Sequence, residues 1–187
     1  MLPSEYDIKN ISGIVKGELL SNNSEHTAIR QLLIDSRNIN APETSLFFAL
    51  KGHRHDGHKF IRDLYAKGIC NFVVSDFDEQ FRELKANFII AKDTLAAFQQ
   101  LSAWHRRQFN IPVIGITGSN GKTIVKEWLY QLLRQDKNIV RSPKSYNSQT
   151  GVPISVWQMN SENKLAIFEA GISLPGEMQR LQHIINP

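Results

Sequence analysis

The sequence predicts an α/β fold, and three observations carry that prediction. Short apolar runs alternate with amphipathic stretches along most of the chain, the pattern of strands and helices in parallel units. One apolar run, Val113-Ile114-Gly115-Ile116, leads through a glycine turn into a helical stretch that starts at Lys122. Before it, Asn110-Ile111-Pro112 closes a long helical stretch. Proline stops a helix there and a fresh strand begins. That boundary predicts one domain over residues 1–110 and a second over residues 111–187.

Strands are predicted at Gln31–Ser36, Leu46–Leu50, Asn71–Ser75, Phe88–Ala91, Val113–Thr117 and Leu165–Glu169, where apolar, β-branched and aromatic residues cluster. Helices are predicted at His58–Lys67, Asp78–Lys85, Thr94–Phe109, Lys122–Arg134 and Gly176–Ile185. Thr94–Phe109 shows the rhythm best: Leu95, Phe98, Leu101 and Trp104 recur near one face behind Asp93, which can cap the first free amides. Trp104, Trp128 and Trp157 fall on helical patterns as core or interface residues. His105-Arg106-Arg107 reads as a solvated helix end favoured by the helix dipole. The second domain shows two clear strands, whereas a doubly wound sheet has about five or six. The expectation is a piece of a longer protein, or a sheet completed by a partner.

The composition is that of an ordinary globular chain, 41% hydrophobic and 21% charged over 187 residues. No apolar run reaches the length of a membrane span, and the N-terminus lacks the order of a signal peptide. Cys70 is the single cysteine. It excludes an internal disulfide framework and suits a reducing cytoplasm, and its apolar neighbours place it in a buried strand. The net charge of +4 suits an anionic ligand. The positive residues form no stripe with interleaved aromatics, which argues against nucleic acid as a partner.

The stretch GITGSNGKT, Gly115 to Thr123, carries the chemistry. A common phosphate loop reads G-x-x-x-x-G-K-[ST], and its first glycine would fall at Ile116. Glycines stand at Gly115 and Gly118 instead, which marks a subtype of the loop. Gly118 and Gly121 permit torsions that other residues resist. The amides of Gly118, Ser119, Asn120 and Gly121 can then point at phosphate oxygens, and the helix N-terminus adds partial positive charge. Lys122 supplies a full charge to the terminal phosphates and the Thr123 hydroxyl can coordinate Mg²⁺. The bland reading is a glycine turn with a chance Gly-Lys-Thr, and the flanking strand and helix oppose it.

Thr117-Gly118-Ser119-Asn120-Gly121-Lys122-Thr123 resembles the ATP loop of the Mur ligases, which add amino acids or dipeptides to the bacterial cell-wall precursor. Val125-Lys126-Glu127, Asn147 with Gly151-Val152-Pro153, and Phe168-Glu169-Ala170-Gly171 followed by Pro175-Gly176-Glu177-Met178 resemble the branch that adds D-alanyl-D-alanine. Asp35-Ser36-Arg37, Leu46 to Gly52 and Asp56-Gly57-His58-Lys59-Phe60 resemble the uridine-nucleotide-binding domain of the same ligases. The resemblance covers residues 30–187. Tyr146-Asn147-Ser148-Gln149 departs from the usual pattern, which has a second Asn or a Thr beside the Asn, and is similar to the form in ligases fused to an alanine racemase.

The resemblance implies a small mixed-sheet N-terminal domain followed by the first part of a P-loop ATPase domain with parallel strands. It implies an ATP-dependent amide ligase using Mg²⁺, with UDP-N-acetylmuramoyl-tripeptide and D-Ala-D-Ala as partners. Lys122, Thr123 and Glu169 become catalytic, Thr123 and Glu169 the metal-binding pair, and Ser36, Arg37 and Asn147 substrate-binding. Read without it, Glu169 is equally a solvated strand end, Asn147 an ordinary turn residue, and Arg37 the ion-pair partner of Asp35. His53, His55 and His58 with Asp56 do not match zinc spacing and are expected to shape a loop. Two other readings stay open on the residues: a different P-loop NTPase or kinase, and a UDP-sugar-binding module without catalysis.

Overall fold

The computed structural model describes residues 6–23, 28–37, 39–52 and 55–187. It divides into two compact units, one reaching to Phe98 and one from Gln99 to Pro187. In chain order the first holds β1 (Tyr6–Asp7), α1 (Ile8–Val15), β2 (Glu18–Ser21), β3 (Ala28–Ile29), β4 (Gln31–Leu33), β5 (Ser45–Phe48), α2 (Ile61–Ala66), β6 (Asn71–Val74) and β7 (Asn87–Ile90). Helix α3 (Thr94–Arg106) contains the division. The second unit holds β8 (Val113–Ile116), α4 (Lys122–Leu133), β9 (Ile139–Arg141), α5 (Gly151–Trp157), β10 (Leu165–Glu169) and α6 (Glu177–Ile185).

The first unit is built on a five-stranded sheet in the order β2-β7-β6-β5-β4. Strands β4 to β7 pair in parallel and β2 adds an antiparallel edge. Strands β5 and β6 are buried at every residue, as parallel strands covered on both faces must be. Phe88 gathers the aromatic core: its ring lies 5.2 Å from Phe72, 5.3 Å from Phe77 and 5.6 Å from Phe81. A polar row crosses this sheet. Ser21 donates to Asn87 Oδ1 at 2.7 Å, Asn87 to Asn71 Oδ1 at 3.0 Å, and Asn71 to the Ser45 carbonyl at 3.5 Å. A one-residue slip would turn these buried amides into apolar surroundings without partners, so the row pins the register.

The second unit has three parallel strands in the order β8-β10-β9. All five residues of β10 are buried. Val152 and Val156 of α5 and Leu181 and Ile185 of α6 join Ala166 and Phe168 of β10 in its core. Pro153 sits in the first turn of α5, where its missing N–H costs no helix bond.

Several expectations are corrected. The first predicted strand ends at Leu33, because Asp35 turns back to accept from the Arg37 amide at 2.9 Å, a side-chain turn that breaks the strand. His58–Lys67 opens as a 3-10 turn, Gly57–Phe60, before α2, and Asp78–Lys85 is a 3-10 helix, Glu79–Glu83. Strand β9 makes a third strand in the second unit where two were expected. Cys70 precedes β6 and is half-buried.

The largest correction concerns the end of α3. His105 and Arg106 are 5% and 6% exposed. Arg106 donates to the carbonyls of Ile185, Asn186 and Phe109 at 2.9, 3.0 and 2.8 Å. It thereby satisfies the free carbonyl end of α6 as well as its own helix end. His105 contacts the Met159 carbonyl through Nε2 at 3.1 Å and packs on Trp157 and Phe109. Burial pushes its imidazole down from 6.5 to about 4. Trp128 is not core: it is 65% exposed, in line with Ile124 and Leu132 on α4. No described helix is long and apolar enough to cross a membrane.

Candidate phosphate-binding site

Strand β8 delivers the chain to the glycine turn, and α4 begins at Lys122. Gly118 has φ +145° and Gly121 φ +78°, both in the region that side chains disfavour. Gly121 is also the N-cap of α4. Ser119 and Asn120 are exposed on the turn. Lys122 Nζ curls over the loop, donating to the Gly118 carbonyl at 2.5 Å and reaching that of Ser119 at 3.5 Å. The Lys122 side chain lines an open cleft and does not enter the core.

The register of β10 on β8 decides what faces this turn. Glu169 pairs with Ile116, so the last residue of β10 lies beside the entrance to the loop. This is the carboxyl end of parallel strands, where α/β sheets bind ligands. Glu169 is fully buried. Its Oε2 accepts from Thr123 Oγ1 at 3.0 Å and from Asn147 Nδ2 at 3.5 Å. Gly171 holds the other side of Asn147: its amide donates to the Asn147 carbonyl at 2.8 Å, and a Cβ there would come within 3.0 Å of the Asn147 side chain. Asn147 is thus more than a turn residue.

Thr117, Gly118, Ser119, Lys122, Asn147 and Glu177 are among the residues around a cleft of about 760 Å³. Glu177 accepts from the amides of Ser173 and Leu174 at 2.7 and 3.0 Å, and these bonds hold its carboxyl below the usual range. Gln99 of α3 donates to the Gln149 carbonyl at 3.0 Å, and Gln149 donates to the Glu177 carbonyl at 3.3 Å. These bonds brace the two loops that wall the cleft.

The predicted substrate residues divide between the units. Ser36 and Arg37 belong to the first, Asn147 to the second. Arg37 is exposed and forms a two-pronged pair with Asp35, Nε to Oδ1 at 2.9 Å and Nη2 to Oδ2 at 2.5 Å. That hydrogen bonding holds the Asp35 carboxyl below its ordinary value. His58 Nδ1 lies 2.6 Å from Asp56 Oδ1, and its Nε2 accepts from the Ser75 amide at 3.1 Å, a loop-shaping role. His53 lies outside the described residues. Among the described residues no three His, Cys, Asp or Glu side chains group to hold a metal ion.

Sequence reasoning passed over Lys126, which it placed only in a motif. The signal was available: Lys126 follows Lys122 and Thr123 by four and three residues, the spacing that puts side chains on one helix face.

Residues 28–106 match the model of the Mur ligase family catalytic domain, and residues 116–187 that of the Mur ligase middle domain. The chain belongs to the Mur ligase family. The expectation drawn from its motifs is borne out, as is the α/β class with a mixed sheet ahead of a parallel one. This Mur ligase chain is 32% identical to the UDP-N-acetylmuramoyl-tripeptide–D-alanyl-D-alanine ligase of Bacillus subtilis over 182 residues, 96% of this chain and 39% of that protein. It is 37% identical to the Escherichia coli protein of the same name over 135 residues, 71% of this chain and 28% of that one. A crystal structure of MurF from Acinetobacter baumannii superposes with a TM-score of 0.88 at 28% identity, covering 98% of this chain and 39% of the other. The MurF ligase of Thermotoga maritima in complex with ADP gives 0.71 at 25% identity, covering 82% and 35%. This Mur ligase chain spans about two-fifths of the length of the first of these relatives.

Proposed function

We propose that these residues supply the nucleotide grip and the uridine-binding unit of an ATP-dependent ligase of peptidoglycan precursor synthesis, which joins D-Ala-D-Ala to UDP-N-acetylmuramoyl-tripeptide. The single observation that carries the reading is the placement of Thr123 and Glu169, 3.0 Å apart, beside a left-handed glycine turn topped by Lys122. The ADP complex of the Thermotoga maritima ligase supports nucleotide as the occupant.

Hydroxide is a poor leaving group, so a carboxylate must be activated before an amine can displace its oxygen. Transfer of the γ-phosphoryl group of ATP makes an acyl phosphate, and attack by the dipeptide amine then expels phosphate. The Gly118–Gly121 amides and the start of α4 would hold the phosphates. Lys122 would leave the loop carbonyls for the terminal phosphate and offset the charge that develops there. The donors present fit Mg²⁺. Thr123 and Glu169 offer hard oxygens, and this ion is usually held by one or two carboxylates with substrate phosphates. When bound, Mg²⁺ would supply charge neutralisation across the β- and γ-phosphates. Asn147 would hold Glu169 in place and reach the substrate. The first unit, with Ser36 and Arg37, would bind the uridine end, so that remote binding positions the reacting carboxylate. Arg37 would trade Asp35 for the pyrophosphate. We place the reaction in the cytoplasm, where ATP and the nucleotide sugar are made.

The test is binding of a fluorescent ATP analogue to the 187-residue chain with Mg²⁺. Lys122→Ala is expected to weaken it roughly 30-fold, the loss of a charge-assisted contact of about 2 kcal/mol. Unchanged binding in that variant would overturn the reading. In a second arm, UDP-N-acetylmuramoyl-tripeptide binds and Arg37→Ala weakens it. Nucleotide binding without any response to this peptide would favour another P-loop NTPase. Phosphate release dependent on D-Ala-D-Ala is expected to be negligible from these residues alone.

A further inference from the structure

Lys126 has no part in the phosphate grip described above, yet its charge is enclosed beside it. Its side chain is fully buried. Nζ donates to the Ser142 carbonyl at 2.8 Å and the Lys144 carbonyl at 2.5 Å. It lies 2.9 Å from Glu169 Oε1 and 3.2 Å from Glu127 Oε1. Lys144 has φ +49°, a left-handed conformation that costs a non-glycine residue about 1–2 kcal/mol. The bond from Lys126 to its carbonyl helps to hold that turn.

The two oxygens of Glu169 are treated differently. Oε2 faces Thr123 and Asn147. Oε1 is buried and accepts no hydrogen bond of good geometry among the described residues; the ammonium of Lys126 at 2.9 Å compensates its charge by contact alone. A buried ion pair is poor evidence of a role in stability, since apolar residues of similar volume often serve as well. Its contacts here converge on one place. They reach the strand end that carries Glu169 and the turn that leads to Ser145 and Asn147.

We propose that Lys126 is a positioning residue for the cation site. It ties Glu169 Oε1 and the Ser142 and Lys144 carbonyls, so that Glu169 presents one oxygen, Oε2, to Thr123 and a Mg²⁺–nucleotide. The inference rests on reading Thr123 and Glu169 as the cation-binding pair. Lys126 touches neither nucleotide nor substrate and acts through Glu169.

A double-mutant cycle tests it on the full 187-residue chain. The readouts are binding of a fluorescent ATP analogue in EDTA and the Mg²⁺ concentration that half-saturates the further signal. Lys126→Met is expected to raise that concentration about tenfold, the usual scale for loss of a group that orients a metal ligand. Binding in EDTA stays within about twofold. In the Glu169→Gln background the same substitution shifts the Mg²⁺ requirement less than about twofold, because the group it acts through has gone. An equal shift in both backgrounds, or none in the first, overturns the proposal, as does an equal loss of binding in EDTA. Where Lys126→Met alone does not fold, recovery of folding by the pair Lys126→Met/Glu169→Gln supports the assignment, and failure to recover overturns it. Absence of nucleotide binding in the unmodified chain is a separate result, which would remove the phosphate-grip reading and this inference together.

Discussion

The two units use parallel sheet for opposite ends. In the first, the polar groups buried between strands are neutral: Ser21, Asn87 and Asn71 satisfy one another across the sheet, and Phe72 and Phe88, next along the same strands, stack on the opposite face. The second buries a charged pair as well as neutral groups: Lys126 and Glu169 meet at the carboxyl end of a three-stranded sheet. A neutral row needs only partners and fixes register. A charged pair also needs compensation, and it holds one carboxylate oxygen against Thr123. The first arrangement is suited to building a frame, the second to holding a site.

Five substitutions, one of them read through a pH titration, sharpen or break that contrast. The largest effect belongs to the frame. Phe88→Ala removes the ring that touches three others and is expected to destabilise the first unit by about 3–5 kcal/mol in urea unfolding. A loss under about 1 kcal/mol would mean that the aromatic cluster does not hold this sheet. Arg106→Met leaves three carbonyls without their cationic donor. Charge-assisted bonds of this kind suggest a loss of about 3 kcal/mol, read by the same method in the second unit.

His105 supplies a pH dependence. Its folded value, about 4, lies below the ordinary 6.5, so the unfolded chain binds the proton first as pH falls. Stability is full above about pH 6.5 and declines toward pH 4, by about 2 kcal/mol between pH 7 and 5. His105→Leu should flatten that slope; an unchanged slope would place the titration elsewhere. Gly171→Ala puts a Cβ against Asn147 and is expected to cost about 1 kcal/mol by crowding, with a raised Mg²⁺ requirement for nucleotide binding as the more telling readout. Smallest of all, Arg37→Ala should leave the unfolding midpoint unmoved, because its pair with Asp35 lies in solvent. Its effect should appear only in binding of the uridine nucleotide.

Much of the fold was legible because it is written locally. Five of the six predicted strands fall within a residue or two of their observed ends, and α4 begins at the predicted Lys122. Elements too short to show a period escaped notice: β1 and β3 have two residues each and β9 three. Helix α5 was hidden by Gly151 and Pro153, which suggest a turn unless the proline is known to lie in the first helical turn. The glycine loop was legible as a site because its torsional demands fall on glycines and its charge on the next residue.

The sequence by itself determined the alternation of strands and helices, the fresh strand at Val113, the left-handed turn at Gly118 and Gly121, and the lysine and threonine that follow. These depend on side-chain period and backbone torsion over a few residues. Only the tertiary structure decided that Glu169 meets Thr123 across 46 residues of chain and that Arg106 caps a helix end 79 residues away. The physical reason is register: once β10 pairs with β8, the end of one strand is carried to the loop that leaves the other, and no local pattern records that pairing.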